Sequence, residues 1–446
     1  MPQAYVRLAD HAIFKFRYDQ WYLINTHNRE RERILIEGGA EQILNYLFAG
    51  NSVDAAGIHF SVERTDLYIF LQGLVDENVV AWSDDSVDST AGCHNIEPPL
   101  DSMNILLTNT CNLHCAHCYV SSGKPMDNEL SGDEWISVLQ EARQLGVFEL
   151  NVSGGEATLH RDFVRIAEHI ASVPTFNANL NTNGFLLQPE QEDVIVRAFK
   201  SVQISIDDVV AAKHDAFRGH TGSFDRSLAT ISRLVKSGVE TNIGFTLTFN
   251  NLDALDGVVE LAESLNVTML NIGLVANFGR ASNDVLANGN NQDFVQDSMF
   301  MERVYQKIKK LATRPSKIRF LLPFRIPSAG TAPELNEKRF LCAGDNTQII
   351  YIMANGNIMP CDKLPIERFS FGNVRQSSIL DVWQSQSMKS FKLMSPRQLP
   401  KCKVCPHLQI CGGACVARAY QNGGSFESPD WTSCVIAQKI HRDNTA

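Results

Sequence analysis

Three cysteines fall within the eight residues CNLHCAHC: Cys111, Cys115 and Cys118. Thiolate is the ligand of choice for zinc and for iron–sulfur clusters. A structural zinc ion asks for four ligands in a tetrahedron. His114 or His117 could supply the fourth, but His117 sits between two of the cysteines in a tight loop, badly placed to reach the same ion. A four-iron cluster sets a different requirement. Three cysteines hold three irons, and the fourth iron stays open to a substrate or cofactor.

A second concentration lies near the C-terminus, where seven cysteines fall between 342 and 434. Cys342, Gly356 and Cys361 are spaced C-x13-G-x4-C. Cys402, Cys405, Cys411 and Cys415 are spaced C-x2-C-x5-C-x3-C, and Cys434 follows. In a reducing compartment such density argues for metal or catalysis rather than for a disulfide framework. The remaining cysteine, Cys93, stands apart in a loop-like stretch and reads as an incidental thiol.

The elements that must position these residues follow from periodicity. Strands are predicted at SMNILLT, FELNVSG, TFNANLNTNG, SVQISID, TNIGFTLT and TMLNIGLV, each followed by a helical pattern, the last at about 291–313. Ser131 and Glu134 form a capping box that opens the first of these helices, with Trp135, Val138, Leu139 and Ala142 on its apolar face. Six strand–helix units in succession imply a parallel α/β sheet with right-handed crossovers, closed into a partial TIM-like barrel. In such folds chemistry gathers in the loops after the strands. CNLHCAHC follows the first strand and SGGEAT the second, while NTNG ends the third and SIDD the fourth. Ahead of the barrel, residues 1–83 read as a winged-helix-like module. AIFKFRYDQWYLIN is a strand pair, GAEQILNYLFAG a helix, and SVERTDLYIFLQGLVDENVVAW a helix running into a hairpin wing. Residues 84–101 are turn-rich and read as a linker. The barrel is expected over 102–315, a bridging segment over 316–341 and a cysteine-rich domain over 342–446.

The formal net charge is -10 for 446 residues, the wrong sign for a general nucleic-acid binder. No apolar run reaches the ~18–20 residues of a membrane helix. The start, MPQAYVRLAD, has no apolar signal core. The expectation is a soluble cytoplasmic protein that engages neither nucleic acid nor membrane.

CxxxCxxC in the loop after strand one of a partial barrel resembles the radical S-adenosylmethionine (SAM) enzymes. The resemblance implies a [4Fe-4S] cluster on Cys111, Cys115 and Cys118, with SAM on the open iron and cleaved to a 5′-deoxyadenosyl radical. It implies that Tyr119 is the aromatic residue after the last cysteine, and that Gly154, Gly155 and Glu156 hold the SAM amino group. Asn183 closes strand three, Ser205 and Asp207 take the ribose, Arg218 takes the carboxylate, and 275–281 close over the adenine. The seven C-terminal cysteines resemble the SPASM extension of peptide-modifying members. That pattern implies one auxiliary iron–sulfur cluster on Cys402, Cys405, Cys411 and Cys434, and a second on Cys342, Cys361 and Cys415. The second set has only three cysteines, because the region that carries another in some relatives reads AGDNTQII. Asp362, next to Cys361, stands where sulfatase-maturing relatives carry a general base.

The N-terminal module has a DNA-binding reading, but its helices lack a basic face. It looks more like the leader-recognition domain of peptide-modifying enzymes, where a peptide adds a strand to a sheet edge. The resemblance therefore implies a maturase acting on a ribosomally made precursor peptide, with a carbon–carbon or thioether crosslink as product and a flavodoxin or ferredoxin-type electron donor. Peptide epimerisation and formylglycine formation are the runners-up. A zinc-containing winged-helix regulator is the reading from another class.

Overall fold

The structure is a computed structural model that describes residues 5–17, 20–26, 33–90, 93–275, 278–282, 298–324, 326, 348–364, 366–392, 399–411 and 415–445. Cys342 and most of the expected 316–341 bridging segment lie outside them.

The N-terminal module contains β1 (Tyr5–Leu8), β2 (Ala12–Arg17), β3 (Gln20–Asn25), β4 (Arg33–Ile36), α1 (Ala40–Phe48), α2 (Val53–Phe60), α3 (Arg64–Asp76) and β5 (Val80–Ser83). The pair predicted from AIFKFRYDQWYLIN is present, with β2 antiparallel to β3. Two features differ from the sequence reading. Helix α2 was not foreseen, since VDAAGIHF is short and interrupted by Gly57; Ser52 caps it by accepting from the Ala55 N–H at 3.1 Å. The wing is not a hairpin. After α3 reverses the chain, β5 pairs antiparallel with β1, Tyr5 opposite Ser83. The stretch read as linker also contributes a strand. In it β6 (Cys93–His94) joins β2 in parallel, giving the order β4-β3-β2-β6.

One buried cation seats this module on the barrel. Lys15 of β2 is fully buried, donates to the carbonyls of Leu100 (2.6 Å) and Gly146 (3.0 Å), and pairs with Asp101 at 3.0 Å. A buried ammonium is tolerated only when its donors are satisfied in this way. Its acceptors lie just before the first two barrel strands, at the end away from the cysteine loop.

The barrel alternates β7 (Ser102–Leu106), α4 (Gly132–Gln144), β8 (Glu149–Ser153), α5 (Phe163–Ala171), β9 (Asn177–Thr182), α6 (Pro189–Ala198), β10 (Ser201–Ser205), α7 (Ala211–Arg218), α8 (Ser223–Ser237), β11 (Glu240–Leu247), α9 (Leu255–Ser264), β12 (Met269–Leu274) and α10 (Ser298–Ala312). All six predicted strands and the capping box at Ser131 are present. Each strand turns one face to the helices, and that face is apolar and buried: Met103, Ile105, Leu150, Val152, Leu180, Val202, Ile204, Phe245 and Ile272 join one core. The other face carries Asn104, Asn151, Asn179, Asn181, Gln203 and Asn271.

The sheet is larger than six strands. On one side β13 (Arg319–Leu321) pairs in parallel with β12. On the other, β14 (Ile349–Ile352) pairs in parallel with β7, and β15 (Asn357–Met359) and β16 (Gly372–Asn373) extend it antiparallel, giving ten strands. The cysteine-rich domain thus grows out of the barrel sheet. It continues as α11 (Ile366–Phe369), α12 (Ile379–Gln384), α13 (Gln386–Lys392), α14 (Pro400–Lys403), α15 (Leu408–Cys411), α16 (Val416–Gly423) and α17 (Trp431–Thr445). Arg375 reaches Glu134 of α4 at 2.6 Å, and the Trp383 indole donates to the Pro98 carbonyl at 2.7 Å. Among the described residues no helix is long and apolar enough to cross a membrane.

Candidate active site

The CNLHCAHC loop leaves β7 and folds over the carboxyl ends of the strands. It is fixed almost entirely by backbone groups of distant elements. The Cys111 N–H donates to Gly123 O, His114 N–H to Arg218 O, and Ala116 N–H to Phe217 O, at 3.0 to 3.1 Å. Arg280 clamps the far side, with Nε on Cys115 O (2.8 Å), Nη1 on Ser122 O (2.5 Å) and its own N–H on Cys118 O (3.0 Å). Gly279 makes this approach feasible. Its φ is +57°, and a Cβ there would lie 2.4 Å from Tyr119 O. Glu129 anchors the loop's entry, accepting from Thr108 Oγ1 and Asn109 N, both at 2.7 Å.

Beneath the loop lies a cavity of about 320 Å³. Cys111, Cys115, Cys118, Tyr119, Gly154, Gly155, Asn183, Ser205 and Arg218, all singled out from sequence, line it together. The two glycines press against the loop's own backbone. Gly154 has φ +149° and leaves only 2.5 Å between a notional Cβ and Thr108 O; at Gly155 the gap to Thr110 O is 2.4 Å. Only glycine lets the second-strand loop pass so close to the first.

Two expected residues stand behind the wall instead of in it. Glu156 is buried, and its carboxylate accepts from Thr158 N, Thr158 Oγ1, Thr182 Oγ1 and Asn183 N, the last at 2.7 Å. Burial raises its pKa against these four donors. Asp207 is buried as well. It accepts from Thr246 N at 2.9 Å and forms an ion pair with Arg218 Nη2. Arg218 in turn directs Nη1 at Cys115 Sγ, 3.7 Å away, and Asp207 helps hold its pKa above the ordinary value against burial. The pair therefore presents the guanidinium to the cysteine loop.

Each loop sulfur receives a donor. Leu113 N (3.5 Å) and Asn183 Nδ2 (3.9 Å) face Cys111, Arg218 faces Cys115, and Ser122 N (3.3 Å) faces Cys118. Burial pushes the Cys111 thiol up to about 11 and raises Cys115 too. Metal-free, Cys111 and Cys115 would keep their protons at neutral pH, so a cationic group must supply what makes them thiolates. Among the described residues no three His, Cys, Asp or Glu side chains converge closely enough to hold a single metal ion. Thiols spread around a cavity, each with its own donor, fit a polynuclear cluster in which each iron takes one sulfur.

Tyr119 links this cavity to the C-terminal domain. Its hydroxyl donates to Asp362 Oδ2 at 2.8 Å, and Lys363 Nζ meets Asp362 Oδ1 at 3.2 Å. Burial and the Asp362 charge raise the Tyr119 pKa well above 10. Beyond Asp362 the cysteines sort into two neighbourhoods. Burial and the charges of Cys411, Cys402 and Cys405 push Cys434 up to about 12, while Cys361 feels Cys415. Asp430 braces the space between, accepting from Cys415 N at 3.0 Å and Arg418 Nη2 at 2.7 Å. Glu129, Arg280 and Asp430 were not singled out individually in the sequence; Arg280 alone lay inside a flagged stretch, 275–281.

Residues 105–262 match the Radical SAM superfamily, and residues 342–406 match the SPASM iron–sulfur cluster-binding domain. The chain is a radical SAM enzyme with an SPASM domain. Its cofactors are SAM and a [4Fe-4S] cluster, and its SPASM domain binds auxiliary iron–sulfur clusters. It is 28% identical over 306 residues to the sporulation killing factor maturation protein SkfB of Bacillus subtilis, covering 68% of this chain and 70% of that one. It is also 28% identical over 328 residues to the AdoMet-dependent heme synthase of Methanosarcina barkeri, covering 72% of this chain and 92% of that one. Streptococcus suis SuiB, solved with S-adenosylmethionine, has the same fold across 96% of this chain and 99% of its own, with a TM-score of 0.69 at 18% identity. Its structure with the precursor peptide SuiA superposes with the same TM-score.

Proposed function

We propose that this radical SAM enzyme matures a ribosomally made precursor peptide, abstracting hydrogen from an unactivated carbon and installing a carbon–carbon or thioether crosslink. One observation carries the reading: the N-terminal module is built onto the barrel by a buried ion pair, and among the described residues β4 has a strand on one side only. Strand β4 ends its sheet and exposes Leu35 at 38%. Such an edge takes an extended peptide by main-chain hydrogen bonding. The match in fold to SuiB, solved with a precursor peptide, supports the assignment. The heme synthase is a relative of another kind, but it spans 72% of this chain where SuiB spans 96%.

In this reading Cys111, Cys115 and Cys118 hold the SAM-binding cluster, Cys402, Cys405, Cys411 and Cys434 one auxiliary cluster, and Cys361 and Cys415, with Cys342, the other. Bound SAM and its cluster supply a carbon-centred radical. The chain's own residues do the rest. Gly154, Gly155, Asn183 and Ser205 shape the cofactor's seat, and Arg218 presents a guanidinium to its carboxylate. Glu156 acts through Asn183, whose N–H it fixes. Asp362 takes the proton lost from the modified residue at Oδ2, in place of the Tyr119 hydrogen bond, and the auxiliary clusters would supply the acceptor for the one electron that hydrogen-atom and proton loss leave behind.

The test is anaerobic co-expression with a short open reading frame from the same locus, followed by tandem mass spectrometry. Loss of two hydrogens shared between two residues is the expected result. An unchanged mass with an inverted residue would assign epimerisation instead, and two or three zinc ions with no iron would end the enzyme reading.

A further inference from the structure

A closed TIM barrel fills its interior with layers of branched apolar side chains. This barrel fills it with amides. Asn271 Nδ2 of β12 donates to Gln203 Oε1 of β10 at 2.8 Å, and Gln203 Nε2 donates to Asn181 Oδ1 of β9 at 3.1 Å. All three side chains line the cavity beneath the cysteine loop. The chain skips one strand to do so. Gly244 of β11 lies between, and a Cβ there would stand 2.9 Å from Gln203 Nε2. Glycine on β11 is what lets Gln203 reach across to β12.

The position is distinct from the cofactor's seat. Asn181 and Gln203 precede Asn183 and Ser205 by two residues on the same strand faces, which places them about 6–7 Å deeper along the strands. Beside them Gly273 also lines the cavity, and nothing lies within 4 Å of a notional Cβ there. No carboxylate lines this space among the described residues, and its two arginines serve other partners: Arg218 pairs with Asp207 and faces the cofactor's seat, and Arg280 holds loop carbonyls.

The chain has a definite recognition chemistry. Three amides linked head to tail leave one wholly unused NH2 group at one end and one wholly unused carbonyl at the other. Reversing every amide exchanges the ends but keeps one of each, so the conclusion does not depend on which atom is nitrogen. The two ends lie on β9 and β12, three strands apart, so each takes its own partner, and a neutral amide can meet either: its C=O the free NH2, its N–H the free carbonyl. We propose that Asn181, Gln203 and Asn271 bind an uncharged amide of the substrate, main-chain or side-chain, at the segment being modified. This rests on the peptide reading above and adds that the acceptor segment is neutral at the point of entry.

The test uses anaerobically purified full-length protein and small probes read by saturation-transfer NMR. N-acetylglycine N-methylamide carries only main-chain amides, propionamide mimics a side-chain amide, and propionate is its charged counterpart. Binding of either amide, with propionate at least about fivefold weaker, is the expected result. Binding of the first probe alone assigns a main-chain amide, and of the second alone a side-chain amide. Equal binding of propionate, or no binding by either amide, overturns the proposal. Gln203→Leu is expected to weaken the amide probe at least about fivefold. Gly273→Leu, which fills open space without touching the chain, is expected to do the same. Unchanged binding in both variants overturns the assignment. So does a loss of SAM affinity in Gln203→Leu as large as the loss of amide affinity, which would give the chain to the nucleoside. None of these results depends on peptide modification, so the proposal can fail while the maturase reading stands.

Discussion

The two cysteine regions are built in opposite ways. CNLHCAHC is held from outside itself, by Gly123, Phe217, Arg218 and Arg280, and sits on a core that runs through all six predicted strands. Among the later cysteines, Cys402 and Cys411 lie on four-residue helices, and the hydrogen bonds of that stretch are local: Cys402 N to Leu399 O, Cys405 N to Cys402 O, Cys411 N to His407 O. The apolar support around Cys402 is small, with Leu399 and Val416 packed by Phe391, Cys402 and Phe426, and Val404 78% exposed, whereas Cys361 and Cys415 pack on a cluster that includes Tyr351 and Met359, and the helix of Cys434 places Ile436 and Ile440 in the main core. The first site is a product of the fold. The 399–411 stretch has little else to hold it, so a bound cluster would contribute directly to its folding free energy.

The comparison breaks most visibly at Cys115. Cys115→Ala is expected to abolish SAM cleavage to background, read as 5′-deoxyadenosine, while the thermal midpoint moves by no more than about 3 °C. A large drop in the midpoint would mean the loop is not independently built. Cys434→Ala should show the reverse balance. Local unfolding of 399–411 is expected to become easier by several kcal/mol, seen as lost hydrogen-exchange protection, with SAM cleavage reduced but measurable. Next in size is Arg280→Met, which removes the loop's outer clamp while leaving every cysteine. A loss of about 10–100-fold in SAM cleavage is expected, the usual cost of removing a residue that orients ligands. No loss would show that the backbone contacts suffice.

The smallest effect tests the seam between module and barrel, which belongs to the fold-built side. Burial, and then the Lys15 cation, lower His94 from 6.5 to about 3. Below pH 6.5 the unfolded chain takes a proton that the folded chain refuses, so stability falls as pH drops from 6.5 towards 3. The loss is about 2 kcal/mol by pH 5. His94→Gln should remove that slope in denaturant titrations at pH 5 and 7.

This division also explains what the sequence showed. Strands β7 to β12 were legible because each alternates over five to eight residues and runs into a polar, turn-rich loop. The cysteines, the glycine pair and Arg218 were legible because spacing carried them. Strands β5 and β6 were misjudged because their partners, β1 and β2, lie far away in sequence and no local pattern marks the pairing. Buried charges were invisible for the same reason. Lys15, Glu129 and Asp430 read as ordinary surface residues until the fold surrounds them with carbonyls, N–H groups or a guanidinium. Glu156 was found by motif, yet its carboxylate serves the wall rather than the cavity. The amides of NANLNT and SVQIS were on the page as strand alternation; that they join across three strands is a property of register alone.

The central claim is hydrogen abstraction from a peptide. It is tested most directly by giving the reconstituted enzyme a co-encoded precursor peptide deuterated at its core residues, with SAM and a reductant, and weighing the 5′-deoxyadenosine released. Deuterium carried into 5′-deoxyadenosine, with matching loss from the peptide, is the predicted result. Unlabelled 5′-deoxyadenosine beside a fully deuterated, modified peptide would contradict the account.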